Sequence, residues 1–232
     1  MVLTVNADYE GEKTFELVKT IRDIANEYYP DTYYLAGEGV STYDLMDTIT
    51  ADKLKVNIIA IAAVFIVLLL SFKSIGLPVI LVLGIETAIW INLAIPYFAD
   101  STVHYIAYLI ISSVQLGATV DYAILMTDRY IENRQIMNKK DAIHETVANV
   151  TVSILTSASV LTIVGFLLGL ISTHGILSQL GVFVGRGALL SLAIVLFVIP
   201  GLLYLLDGVI QKTTLGAKWY RNTADAKENI SK

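Results

Sequence analysis

No cysteine occurs in the 232 residues, which excludes disulfides, thiolate metal sites and cysteine nucleophiles. The three histidines, His104, His144 and His174, stand far apart, without the spacing that metal ligands need, so no metal site is expected. No phosphate-cradling GxxxxGK[ST] sequence is present, and ATP binding of that kind is excluded. No Ser-His-Asp arrangement is indicated either, so neither an enzyme nor a cofactor is expected. Charge is sparse at 16% of residues, and residues 1–52 hold eleven acids against Lys13, Lys19 and Arg22. An acidic surface of that kind repels a phosphate backbone and speaks against nucleic acid as a partner. The opening Met1-Val2-Leu3-Thr4-Val5 lacks a basic end before an apolar core, so no secretory signal peptide is expected there.

What the chain has in abundance is apolar sequence. Apolar residues make up 55% and the mean hydropathy is +0.66, beyond an ordinary water-soluble domain. Five long apolar runs lie at about Leu54–Phe72, Gly76–Phe98, Ile106–Met126, Val147–Leu170 and Leu177–Leu206. Each is near the roughly 20 residues a helix needs to cross a bilayer. Pro78 falls in a first helical turn, where a missing N–H is harmless, and Pro96 and Pro200 fall near helix ends.

Residues 1–52 read differently. Val2–Asn6 alternate as a strand does, and Gly11–Tyr29 carry Phe15, Val18, Ile21 and Ile24 at helical spacing before Pro30. Thr32–Ala36 read as a second strand, and Ser41-Thr42-Tyr43-Asp44 resembles a capping box opening another helix. A β-α-β unit this small cannot bury a sizeable core, so sequence beyond this chain is expected to complete it. The fold class expected is mostly α: a polytopic bundle of five transmembrane helices (53–206) after a small partial α/β domain (1–52), with a tail at 207–232.

Basic residues orient the bundle. The turns 99–104 and 171–176 contain no Lys or Arg, whereas Lys73, the loop with Arg129, Arg134, Lys139 and Lys140, and the tail with Lys212, Lys218 and Arg221 hold most of them. The positive-inside rule places those three segments in the cytoplasm and residues 1–52 outside the cell membrane.

Within the third run stands Gly117-Ala118-Thr119-Val120-Asp121-Tyr122. An aspartate at mid-bilayer costs roughly 2.5–3.5 kcal/mol on insertion scales, and such residues mark proton or substrate pathways by default. Gly117 shares a helical face with Asp121, which predicts close approach of a neighbouring helix over the glycine. Tyr122 adds a hydroxyl to the same pocket. Glu86, near the middle of the second run, and Arg186, between Gly185 and Gly187, carry opposite charges at overlapping depths, which predicts compensation. Asn149, Ser153 and Ser157 share one face of the fourth run, and Gln115 precedes Asp121; together with Glu86 and Arg186 they form a candidate polar network. A structural reading stands beside the functional one for each, since small and hydroxyl residues are ordinary packing material between membrane helices. Gly165-x-x-x-Gly169 and Gly181-x-x-x-Gly185 are close-approach motifs of that kind.

Three stretches resemble one family: Ser71-Phe72-Lys73-Ser74-Ile75-Gly76-Leu77-Pro78, Gly117-x-x-x-Asp121-Tyr122 followed by Asp128-Arg129-Tyr130-Ile131-Glu132, and Gln179-Leu180-Gly181 through Ile199-Pro200-Gly201. They resemble the C-terminal portion of one half of an MMPL-type (mycobacterial membrane protein large) transporter, of the resistance–nodulation–division (RND) superfamily. The resemblance implies the end of an extracytoplasmic porter domain followed by helices two to six. It implies export of lipids, hydrophobic compounds or drugs driven by the proton gradient, with Asp121 and Tyr122 in an intramembrane proton relay. It also implies a partner: a segment N-terminal to this chain, or a second transporter half, or an oligomer, set among membrane lipids. The alternative is a membrane-anchored partner-binding protein, or an inactive transporter fragment, that transports nothing. An anchor has no need of charges in lipid, and their cost favours transport.

Overall fold

The computed structural model describes residues 5, 11–30, 32–99, 103, 105–215 and 219, without the side chains of 51, 53, 105, 106 and 109. The chain divides into two compact units, Met1–Val56 and Asn57–Lys232.

In the first unit, α1 (Glu12–Tyr28) follows Gly11, whose φ of 122° only glycine adopts readily, and ends before Pro30. Val18 and Thr14 are its buried positions. Arg22 reaches the Asp44 carboxylate at 2.7 Å, Tyr33 Oη donates to the Arg22 carbonyl, and Phe15 leans on the Tyr43 ring. The segment 32–36, expected as a strand, is irregular. A strand exists only by pairing, and its expected partner Val2–Asn6 lies outside the described residues except for Val5. Among the described residues no strand forms, and one isolated bridge joins Ser74 to Thr214. The helix expected to open at Ser41 begins earlier and does not stop: α2 runs from Glu38 to Phe72.

The other helices are α3 (Gly76–Phe98), α4 (Tyr105–Arg134), α5 (Lys139–Ile171), α6 (Gly175–Ala193), α7 (Ile199–Leu205) and α8 (Asp207–Thr213). Among the described residues five spans are long and apolar enough to cross a membrane, with α6 and α7 forming one of them. Asn138 caps α5, its side-chain oxygen accepting from the N–H groups of Lys140 and Asp141. Between α6 and α7 the chain widens into a π turn, Ile194–Val198. Pro200 explains the position: its ring would crowd the carbonyl four residues back and it offers no N–H, so the preceding turn loosens.

The two glycine motifs meet each other. A Cβ on Gly165 would lie 2.5 Å from the Gly185 nitrogen, and one on Gly181 would collide with the backbone at Gly169. Without those side chains α5 and α6 pack backbone to backbone. The turn between α2 and α3 is fastened to the far end of the chain: Leu215 N–H donates to the Lys73 carbonyl, and Gly76 leaves room for Thr213 Oγ1. Leu68, Leu81, Ile85, Met126, Ile154, Ile199 and Leu203 form the core of the bundle.

Candidate functional site

The polar residues of the bundle separate into three places. The first is a groove of about 500 Å³ between α4 and α5, lined by Asp121, Tyr122, Ala118, Ser153 and Ser157 with aliphatic side chains around them. Asp121 is exposed, and its carboxylate makes no hydrogen bond or ion pair to any described residue. Tyr122 is 8% exposed and forms the wall beside it. The face is continuous: Ile110, Val114, Gly117, Asp121 and Asp128 recur at 4, 3, 4 and 7 residues, one stripe along α4, and all are exposed. Among the described residues no helix packs over Gly117, since a Cβ there would meet nothing within 4 Å. No described residue makes the close approach expected from its sequence position. Helices α3, α5 and α6 occupy the other faces of α4, and the glycine stripe is the face left over. Asn149, expected beside Ser153 and Ser157, donates instead to Glu145 and does not line the groove.

The second place is a closed polar cluster inside the bundle. Arg186 Nε donates to Asn92 Oδ1 at 2.7 Å and its Nη2 donates to the Asn92 carbonyl at 2.9 Å. That carbonyl is available for a reason: its helical donor would be residue 96, and Pro96 has no N–H. Pro96 thus has a consequence that its place near the helix end concealed. Asn92 Nδ2 donates to Gln115 Oε1 (2.8 Å) and to the Phe183 carbonyl (3.0 Å), and Gln115 Nε2 reaches Ser191 Oγ at 3.3 Å. Gly187 makes this possible, because a Cβ there would lie 2.6 Å from Gln115 Oε1.

The compensation expected between Glu86 and Arg186 is not formed. Arg186 is held by Asn92, while Glu86 is 5% exposed and makes no ion pair among the described residues. The reason is azimuth: Glu86 and Asn92 are six residues apart on α3, about 240° around the helix, so they address different neighbours. Glu86→Gln and Arg186→Leu are accordingly expected to change stability additively, within about 0.5 kcal/mol. Thermal unfolding of both single variants and the double variant measures it, and a coupling above ~1 kcal/mol would mean that the two side chains do meet.

The third place closes the opposite end of the bundle. Asp207, at the start of α8, accepts from Arg134 Nε and Nη2, both at 3.0 Å, and from Tyr130 Oη at 2.7 Å. Gln211 adds a fourth donor. The Arg134 and Asp207 side chains are each 7% exposed. Sequence reasoning passed over Asp207, which follows directly on the last apolar run, and over Asn92 and Ser191. Only Asn92 carried a signal, the proline four residues on. Among the described residues no group of three or more His, Asp or Glu is placed to hold a metal.

Compared with known families, the chain matches the family described as MMPL over residues 1–230. It is also 31% identical over 126 residues to a membrane protein of Streptomyces coelicolor. The alignment covers 53% of this chain and 18% of the relative, so the chain spans a small part of that relative's length.

Proposed function

From the premise that the chain belongs to the MMPL family, a family of membrane transporters, we propose that it forms part of an exporter driven by the proton gradient. In this reading Asp121 carries the proton and Tyr122 shapes its surroundings, while residues 1–52 face outward and the tail faces the cytoplasm. The substrate class is lipids, other hydrophobic molecules or drugs. One observation carries the proposal. Arg186, Asn92 and Gln115 spend their polar groups on packing, whereas Asp121 presents an unengaged carboxylate to an open groove in a membrane-spanning segment. A carboxyl group so placed can take up a proton as the neutral acid and release it as the carboxylate without dismantling the fold. The stripe Ile110-Val114-Gly117-Asp121 is apolar around its acid and exposed among the described residues, which fits a second transporter half docking on it.

Dicyclohexylcarbodiimide, which modifies membrane-embedded carboxylic acids, tests this assignment in isolated membranes. The expected product is a modified peptide containing Asp121, formed in step with loss of export. Modification confined to Glu86, with export lost in parallel, would transfer the role to that residue.

A further inference from the structure

A cleft of about 680 Å³ opens between the first turns of α5 and the body of α7, distinct from the Asp121 groove. Its apolar walls are Ile143, Val147, Ala148, Pro200 and Tyr204, with Lys140, Asp141 and His144 at the mouth. The cleft lies past the π turn that precedes Pro200, away from the glycine contacts that hold α5 and α6 together. Gly201 lies on its wall with open space where a side chain would be.

The charges at the mouth are not equivalent. Asp141 keeps its charge at the mouth, oriented by Asn138 Nδ2 at 2.6 Å in the first turn of α5, and Glu145, outside the lining, accepts from Asn149. Lys139 rests on the Tyr204 ring, 4.6 Å from its centroid. The Lys140 ammonium has no ion pair or hydrogen-bond partner among the described residues and is exposed, and His144 is exposed one turn further on. Depth matches a bilayer boundary. Lys140 lies seven residues before Val147, about 10 Å along the helix, where a flexible lysine stem reaches the headgroup layer. Val147 begins the apolar run.

We propose that this cleft binds one anionic phospholipid, its phosphate against Lys140 and His144 and an acyl chain along Val147, Ala148, Pro200 and Tyr204. A free phosphate ester would satisfy the lysine but leave the apolar walls uncovered, and a zwitterionic lipid would set its own cation beside Lys139 and Lys140. The proposed orientation enters only in naming the cytoplasmic leaflet as the source.

Native mass spectrometry of the full chain in detergent, titrated with dioleoyl phosphatidylglycerol, tests the proposal and is blind to orientation. One lipid is expected to stay bound, with dioleoyl phosphatidylcholine binding at least tenfold more weakly. Lys140→Gln should weaken phosphatidylglycerol about fivefold, the equivalent of roughly 1 kcal/mol for one lysine at a bilayer surface. Gly201→Phe starts from a Cβ position with nothing within 4 Å, sets a ring against the cleft wall and should reduce binding more than tenfold. Glycerol 3-phosphate should not displace the lipid; displacement would assign the mouth to a soluble phosphate ester instead. Equal binding of the two lipids, or binding unchanged in both variants, would overturn the site.

Discussion

Asp121→Asn, in an exporter containing this segment, should reduce export at least a hundredfold while the protein inserts and folds normally. Asparagine reproduces the size of the acid and keeps an amide for hydrogen bonding, but it cannot cycle between a neutral and a charged form. Because the carboxylate has no hydrogen-bond or ion-pair partner among the described residues, the substitution removes no described contact that holds the bundle together. It keeps a polar group of the same size in the open groove, so stability should be unchanged. Export of a fluorescent substrate, normalised to protein in the membrane, measures it. Loss of folded protein with the Asn variant would return Asp121 to a structural role.

A loss of stability, by contrast, is expected from Asp207→Ala. That change leaves Arg134 buried without its bidentate partner, and it takes the acceptor from Tyr130. Breaking one side of a buried ion pair typically costs about 3–5 kcal/mol. The exposed pair Arg129–Glu132, at 2.6 Å, supplies the comparison, since exposed pairs contribute roughly 0–1 kcal/mol. Unfolding midpoints of Asp207→Ala and Glu132→Ala in the same detergent should differ by many degrees. Equal midpoints would mean that Asp207 is not the anchor of that end.

The five spans were legible because crossing hydrocarbon leaves a signal that depends on length and composition alone. Strand 32–36 was misread because a strand depends on a partner distant in sequence, whereas α2 continued through polar residues 38–53 by adding one hydrogen bond per residue. Depth could be read and azimuth could not. Glu86 and Arg186 lie at overlapping depths, yet Arg186 found Asn92, whose carbonyl Pro96 had freed. The glycine motifs gave opposite outcomes for the same reason. Gly165 and Gly181 face each other, but Gly117 faces open space, and sequence spacing is identical in all of them. Asp207 looked like the first residue of a solvated tail because nothing local shows that α8 turns back onto the core.

The central claim is that Asp121 moves protons, and proteoliposomes test it most directly. The transporter containing this segment is reconstituted around a pH-sensitive dye, a proton gradient is imposed, and substrate is added. Substrate-dependent proton flux is predicted for the native sequence and should be absent for Asp121→Asn at equal incorporation. Equal proton flux from both proteins would contradict the account.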